Sequence, residues 1–438
     1  MEYTSALSRR TFLRRAAQAA GASLAAPLII PASALGRDGH TAPSERITMG
    51  FIGVGGQGGG HLLGGAWTYI AGGYTAREDV QILGVCDIVR DRRLAATRRV
   101  NEHYASRLGA GSYRCCEAYN DLRSLLARDD IDAVLIATPI HWHGAMTVLA
   151  ARAGKDIYCE KPTAITIREG RAMATAVKRY GRVFQAGTQQ RSEYGGKFRT
   201  ACSIVRSGMI GELKEVYAFR PGGTFSWQAG RAAPQPIPEG LDWDLFLGPA
   251  PWMPYDGVDH AHRFCGIGDI NWGPHHYDFI QWVLDADRSG PVQVSLEGEV
   301  LRYRYASGVV VHACGAPEGG PGAVGGARFI GTKGWVAVDR DSIAADPPSL
   351  LRSVPDARAV GVYHSTSHSG NFLECVRTRQ PTICDAETAC RAATAVLLGG
   401  IALELKRPLT WDPEREQFPG DDEANRLLST AFRAPWSV

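Results

Sequence analysis

The chain has 438 residues, 45% of them hydrophobic and 21% charged, with a formal net charge of +3. These proportions belong to an ordinary globular protein long enough for two domains, and they exclude a disordered or low-complexity chain. So small a charge gives no reason to expect nucleic acid or an anionic surface as a partner.

In chain order, residues 1–34 read first as a targeting segment. Ser8-Arg9-Arg10-Thr11-Phe12-Leu13-Arg14 fits the twin-arginine pattern, a weakly apolar stretch follows at 16–30, and Ala32-Ser33-Ala34 offers a small-residue cleavage site. The stretch is too short and too rich in Ala and Gly for a stable membrane span. The expectation is delivery of the folded protein to the bacterial periplasm by the twin-arginine export machinery, leaving a mature net charge near zero. A protein folded in a reducing compartment keeps its thiols. Few or no disulfides are therefore expected among its ten cysteines, two of which, Cys115 and Cys116, are adjacent.

Between residues 46 and 163 short apolar runs alternate with helical patterns. The runs are 47–52, 80–86, 133–137 and 156–159, with helices expected at 90–104 and 144–153. Near-continuous apolar strands separated by helices predict a parallel sheet covered on both faces. From 164 to 438 the pattern changes to helices at 167–179, 194–208, 371–379 and 386–405, with strands at 182–185, 215–219, 292–305, 309–312 and 329–338. The predicted fold class is α/β: an N-terminal Rossmann domain (46–163), then an α+β domain (164–438) built on an open, largely antiparallel sheet.

Gly53-Val54-Gly55-Gly56-Gln57-Gly58 follows the first strand and opens a helix. In such a turn the first glycine allows the bend, the second lets backbone approach a pyrophosphate, and the third lets helix and strand pack. The helix N-terminus offers free N–H groups to the phosphates. Asp87 ends the next strand, its distance stretched by a glycine-rich insertion at 64–73. A carboxylate there binds a ribose diol, so NAD is the expected cofactor; nearby Arg90, Arg92 and Arg93 keep NADP as the alternative. Capping of the following helix is the other role open to Asp87.

At the next strand ends stand Thr138-Pro139, with His141 and His143 beyond, and Glu160-Lys161-Pro162. Ligands of an open parallel sheet bind past the carboxyl ends of its strands. The Thr-Pro turn with Glu-Lys-Pro resembles the glucose–fructose oxidoreductase/inositol dehydrogenase (Gfo/Idh/MocA) family. Further resemblance lies in Gly187-Thr188-Gln189-Gln190-Arg191-Ser192, in Leu241-Asp242-Trp243-Asp244 with 247–252, and in Asn271-Trp272-Gly273-Pro274-His275-His276-Tyr277-Asp278. It implies hydride transfer between a nicotinamide cofactor and a small sugar or polyol, with Lys161 and His275 as the catalytic pair. Thr138, Pro139, His143 and Glu160 would lie along the cofactor. Asn271 stands where the family has an aspartate and would bind substrate with Arg191, His276 and Trp272. The resemblance also implies a homodimer or homotetramer.

The chemistry agrees with that pairing. Histidine titrates near neutrality and can take the hydroxyl proton, while an ammonium stabilises charge on the reacting oxygen. On a helix Asn271 and His275 would share a face, and Asp278 could orient the His275 ring. Plainer roles remain for several residues: a carboxylate partner for Arg191, packing for His276, Trp272 and His143. The histidine groups 141/143 and 260/262/275/276 lack zinc-ligand spacing, so no metal is expected. An alternative activity is glycoside cleavage through transient oxidation.

Overall fold

The computed structural model describes residues 41–65, 68–107, 114–220, 232–257, 269, 272–298, 300–315 and 326–438. The targeting segment, Asn271, His260 and His262 lie outside the described residues. Residues 1–46 form one unit, of which a single 3-10 turn, Pro43–Glu45, is described. The rest concerns the second unit, Ile47–Val438.

Its first sheet has six parallel strands in the order β3-β2-β1-β4-β5-β6. β1 (Ile47–Ile52), β2 (Val80–Cys86), β4 (Ala133–Ile136) and β5 (Asp156–Cys159) fall where the apolar runs predict them. Every residue of β4 and β5 is buried, which is why these strands read as unbroken apolar runs rather than alternating ones. β3 (Glu117–Tyr119) is three residues long and half-exposed, and carries no such signal. β6 (Phe184–Ala186) lies beyond residue 163 yet pairs with β5, so the parallel sheet takes its last strand from the segment expected to start the second domain. The sheet order reverses between β1 and β4, which opens a crevice at their carboxyl ends.

The second sheet has eight strands in the order β13-β12-β11-β7-β10-β9-β8-β14. β7 (Leu213–Arg220) and β10 (Val310–Gly315) pair in parallel; the other pairings are antiparallel. The run 292–305 is in fact a hairpin, β8 (Pro291–Glu297) and β9 (Val300–Tyr305), turning at Gly298 with φ 60°. Likewise 329–338 folds into β11 (Ala327–Gly331) and β12 (Gly334–Val338) around Thr332-Lys333, a turn lacking the usual Asn-Gly signal. β13 (Ile343–Asp346) and β14 (Leu409–Thr410) complete the edges.

Helix Ala386–Leu405 packs against helices Ile167–Arg179 and Gly273–Val283 and against β8. It is apolar and long enough to cross a membrane, but 78% of that apolar window is buried inside the protein. Its small residues admit close neighbours: a Cβ on Gly399 would lie 2.0 Å from the Tyr303 hydroxyl. All eleven residues of helix Gly273–Val283 are buried, which fixes His275 in place. The nine described cysteines are all free thiols.

Candidate active site

The glycine turn leaves β1 at Gly53, whose φ of 81° is open to glycine at little cost. A Cβ there would meet the Ala137 carbonyl oxygen at 2.6 Å, and one on Gly58 would meet the Gly53 oxygen at 1.9 Å. These two glycines therefore let helix, turn and sheet close up, and Gly58 itself does not line the cavity. Gly55 and Gly56 face the other way. A Cβ on Gly56 would have nothing within 4 Å, and helix Gly56–Leu63 starts without a side-chain cap. Backbone N–H groups thus point into open space, as a pyrophosphate requires.

Asp87 is buried at the same cavity. Its Oδ2 accepts the Val54 N–H at 2.9 Å and its Oδ1 accepts the Val89 N–H at 2.9 Å, so it ties the glycine turn to its own loop instead of capping the helix that starts at Arg90. Arg93 donates to Asn120 Oδ1 at 3.1 Å and Arg90 to Glu239 at 2.7 Å. Arg92 alone of the three lines the cavity, 3.6 Å from Asp87. A buried carboxylate beside the turn suits a ribose diol and opposes an added phosphate. The site fits NAD.

The cavity, of about 630 Å³, continues from this cradle past Thr138, Pro139 and His143 to Glu160, Lys161, Trp272 and His275. Lys161 and His275 come from sequence positions 114 residues apart and meet at one cavity because β5 ends and helix Gly273–Val283 begins there. Burial holds the Lys161 amine below its ordinary value, with Arg340 adding to the effect against the opposing charges of Glu160 and Asp269. Burial, then the charges of Lys161 and Arg340, holds His275 well below the usual imidazole range. Its Nδ1 is buried with no hydrogen-bond partner among the described residues.

Glu160 is held from three sides. His61 Nε2 lies 2.7 Å from Oε1, Gln189 Nε2 donates to that oxygen at 3.2 Å, and the Lys161 backbone N–H donates to Oε2 at 3.3 Å. Burial pushes this carboxyl up, but the hydrogen bond and charge of His61 and the charge of Lys161 outweigh it and hold Glu160 below its usual value. Gly187 makes room: a Cβ there would lie 2.7 Å from the carboxylate. His143 sets Nδ1 2.6 Å from the Pro162 oxygen and Nε2 2.8 Å from the Thr138 oxygen, linking the two strand-end turns.

Other expected site residues lie elsewhere. Arg191 is 1% exposed, with both Asp278 (2.7 Å) and Asp287 (2.8 Å) as ion-pair partners, and does not line the cavity. Asp278 is therefore engaged with Arg191 and is not the residue that orients His275. His276 is buried and stacks on Trp272, ring centres 5.9 Å apart, also off the cavity wall. The described helix begins at Gly273 with Trp272 as its N-cap, and the helical face expected for Asn271 with His275 lies outside the described residues. His141 turns away to the Phe246 carbonyl at 2.9 Å. Among the described residues no group of three His, Cys, Asp or Glu could hold a metal ion.

Sequence reasoning does not single out Tyr69, Tyr194, Arg340, Gln189 or His61. Tyr69 enters the cavity from the 64–73 insertion and shares a hydroxyl contact with Tyr194. Arg340 reaches in from the turn between β12 and β13. At the Asp87 end, Leu245 and Phe246 form the wall. They belong to a strap, residues 239–248, that is laid on the first sheet's loops: Arg90 N–H donates to the Gly240 oxygen at 2.8 Å, Asp242 N–H to the Ile88 oxygen at 3.1 Å, and Asn120 Nδ2 to Asp242 at 2.7 Å. Trp142 Nε1 donates to the Leu245 carbonyl at 3.0 Å.

Comparison with known proteins accords with this geometry. A family model described as "Oxidoreductase family, NAD-binding Rossmann fold" matches residues 47–188, and one described as "Oxidoreductase family, C-terminal alpha/beta domain" matches 196–438. Among curated relatives, a glycosyl hydrolase family 109 protein of Solibacter usitatus is 30% identical over 174 residues, 39% of this chain and 36% of that protein. An alpha-N-acetylgalactosaminidase of Shewanella oneidensis is 31% identical over 197 residues, 44% of this chain and 39% of that protein. The matches thus span well under half the length of these relatives. Among solved structures, aldose-aldose oxidoreductase from Caulobacter crescentus, complexed with glycerol, aligns at 18% identity and TM-score 0.54 over 83% of this chain and 99% of that one. The WlbA dehydrogenase from Bordetella pertussis, in complex with NADH and UDP-GlcNAcA, aligns at 16% identity and TM-score 0.57 over 84% and 98%. With both of its sheets covered by the two family models and a glycine cradle of the right form, the chain belongs to the Gfo/Idh/MocA oxidoreductase family and carries its NAD-binding Rossmann domain.

Proposed function

We propose that this protein transfers a hydride between a tightly held NAD and a hydroxyl or carbonyl carbon of a sugar or polyol. The observation that carries the reading is the meeting of Lys161 and His275 on one cavity wall, continuous with the cradle of Gly53, Gly55 and Gly56. When bound, the nicotinamide supplies the hydride acceptor or donor. In the oxidising direction His275, kept neutral by burial and by two neighbouring cations, takes the proton of the substrate hydroxyl. Lys161 donates a hydrogen bond to the same oxygen and stabilises the charge that develops there. Glu160, fixed by His61 and Gln189, holds the backbone that presents Lys161.

Tight retention is supported by the strap at 239–248, which walls the Asp87 end of the cavity. It suits a protein exported to the periplasm behind the twin-arginine pattern of residues 8–14, because free dinucleotide is scarce there and a second sugar would have to reset the cofactor. The open face of the second sheet, where Tyr217 stacks on His312 at 4.8 Å and Arg328 lies over Trp335 at 4.7 Å, is the surface proposed for a homodimer or homotetramer.

The names of the curated relatives favour one second reading, glycoside cleavage through transient oxidation. The purified protein should carry dinucleotide detectable by mass spectrometry, and adding free sugars should change its nicotinamide absorbance. Aryl glycosides cleaved with no net change in that band would favour the second reading, and protein purified without dinucleotide would count against both.

A further inference from the structure

The reactive end of the cavity holds a second cation besides Lys161. Arg340 sits at the tip of the β12–β13 hairpin, and the tip is rigid. Asp339 Oδ1 accepts the backbone N–H of Asp341 at 2.9 Å and of Ser342 at 2.6 Å, and the Ser342 hydroxyl at 3.0 Å. Lys197 Nζ reaches the Arg340 carbonyl at 3.5 Å and the Tyr194 carbonyl at 3.0 Å, tying the tip to the opposite wall.

The guanidinium carbon lies 4.6 Å from the centre of the Trp272 ring and 5.0 Å from that of Tyr194. All three residues line the cavity. No carboxylate among the described residues is in ion-pair reach of Arg340, and its Nε is buried without a hydrogen-bond partner. The nearby acids are engaged elsewhere: Glu160 with His61 and Gln189, Glu193 with the His368 N–H at 2.6 Å, Asp269 with the Trp272 N–H at 3.2 Å. This differs from the fully buried Arg191, which has two carboxylates, whereas Arg340 is partly buried.

Aromatic stacking satisfies the face of a guanidinium and leaves its in-plane N–H donors unspent. Planar, paired donors match the two oxygens of a carboxylate or phosphate better than a hydroxyl. A guanidinium beside the catalytic pair with no carboxylate partner among the described residues favours a substrate that brings its own negative charge.

We infer that the substrate is an anionic sugar, its carboxylate or phosphate received by Arg340 between Trp272 and Tyr194 while its reacting carbon faces Lys161 and His275. This inference rests on the oxidoreductase reading of the same cavity and names the substrate class for it.

Equilibrium binding to the purified holoprotein tests it without relying on turnover. The ligands are three matched sets, D-glucose with D-glucuronate and glucose 6-phosphate, D-galactose with D-galacturonate, and D-mannose with D-mannuronate, followed by tryptophan fluorescence and calorimetry. At least one acid should bind about 10-fold or more tighter than its neutral partner, with the uronate and phosphate arms identifying which anion is preferred. In Arg340→Gln and Arg340→Met the acid-to-neutral affinity ratio should fall towards one, and Arg340→Lys should restore part of it. Absence of any acid preference, or a preference that survives both neutral substitutions, overturns the inference. So does loss of bound dinucleotide from the Arg340 variants, which would assign the arginine to the cofactor. Acid preference without any change in nicotinamide absorbance would instead uphold the anion site and count against the hydride-transfer reading.

Discussion

The Glu160 carboxylate lies 2.7 Å from Nε2 of His61, a residue on the helix that opens at the glycine turn. One contact therefore joins the cofactor cradle to the residue that precedes Lys161. Both partners are buried, so removing His61 leaves the Glu160 carboxylate with only the weaker, longer contacts of Gln189, Gln57 and the Lys161 N–H. His61→Ala is expected to cost roughly 1–3 kcal/mol of stability in urea unfolding and to weaken dinucleotide retention. Retention equal to that of the unmodified protein would separate the pair from the cradle.

Lys161→Met and His275→Asn should each lower the single-turnover rate by about 10²- to 10⁴-fold, the usual span for loss of a positioned proton-transfer group or oxyanion donor. His275→Asn should keep its bound dinucleotide, because His275 touches the reacting end and not the glycine turn. Stopped-flow absorbance of the nicotinamide band on enzyme with a single equivalent of sugar measures the rate, and a wild-type rate in either variant contradicts the assigned roles.

Arg191 should behave as a structural residue. Arg191→Met would orphan two carboxylates, one of them 1% exposed, and is expected to cost about 3–5 kcal/mol. A variant of normal stability with a raised KM would instead return Arg191 to the substrate.

These residues show how much of the site can be read in the sequence. β1, β2, β4 and β5 of the first sheet are legible because burial makes them largely apolar, and half-exposed β3 is not. The glycine turn and Glu-Lys-Pro are legible because their chemistry sits in consecutive residues at strand ends. Arg191 is visible as a charge, but its partners lie 87 and 96 residues away, and only the fold reveals them. Tyr69, Tyr194 and Arg340 arrive from an insertion, a 3-10 turn and a hairpin tip, three segments with no shared local pattern. The second sheet suffers from the same cause. Its hairpins turn tightly, around Gly298 and at Thr332-Lys333, without an Asn-Gly signal, so two strands read as one.

Burial pushes the Glu169 carboxyl up to about 8. Its Oε2 accepts the Ile165 N–H at 2.8 Å, while Oε1 has no partner among the described residues. The folded protein keeps this proton at pH values where the unfolded chain has lost it, so the stability it lends is complete below the unfolded value. It is lost as pH rises towards the folded one. Melting temperature should therefore fall between about pH 5 and 8 in the wild type relative to Glu169→Gln, whose side chain stays neutral. Parallel pH curves for the two proteins would show that Glu169 is already ionised in the fold.

The strap at 239–248 is itself held from outside by the last residues of the chain. Arg433 pairs with Asp244 at 2.6 Å and donates to the Gly248 carbonyl at 2.9 Å, and Trp436 packs edge-on against Trp142 at 4.6 Å. Arg433→Ala is expected to speed dinucleotide release about 3- to 10-fold, measured by dilution into excess labelled NAD, with little change in global unfolding. Unaltered release would show that the strap stands without the tail.

A cavity walled at one end by a short strap makes cofactor exchange sensitive to local unfolding of that strap. Loosening of the strap at its contacts with Asn120 and Trp142 is therefore expected to speed loading and escape. Mild denaturant, far below the concentration that melts the sheets, should act on such a molecule as a key.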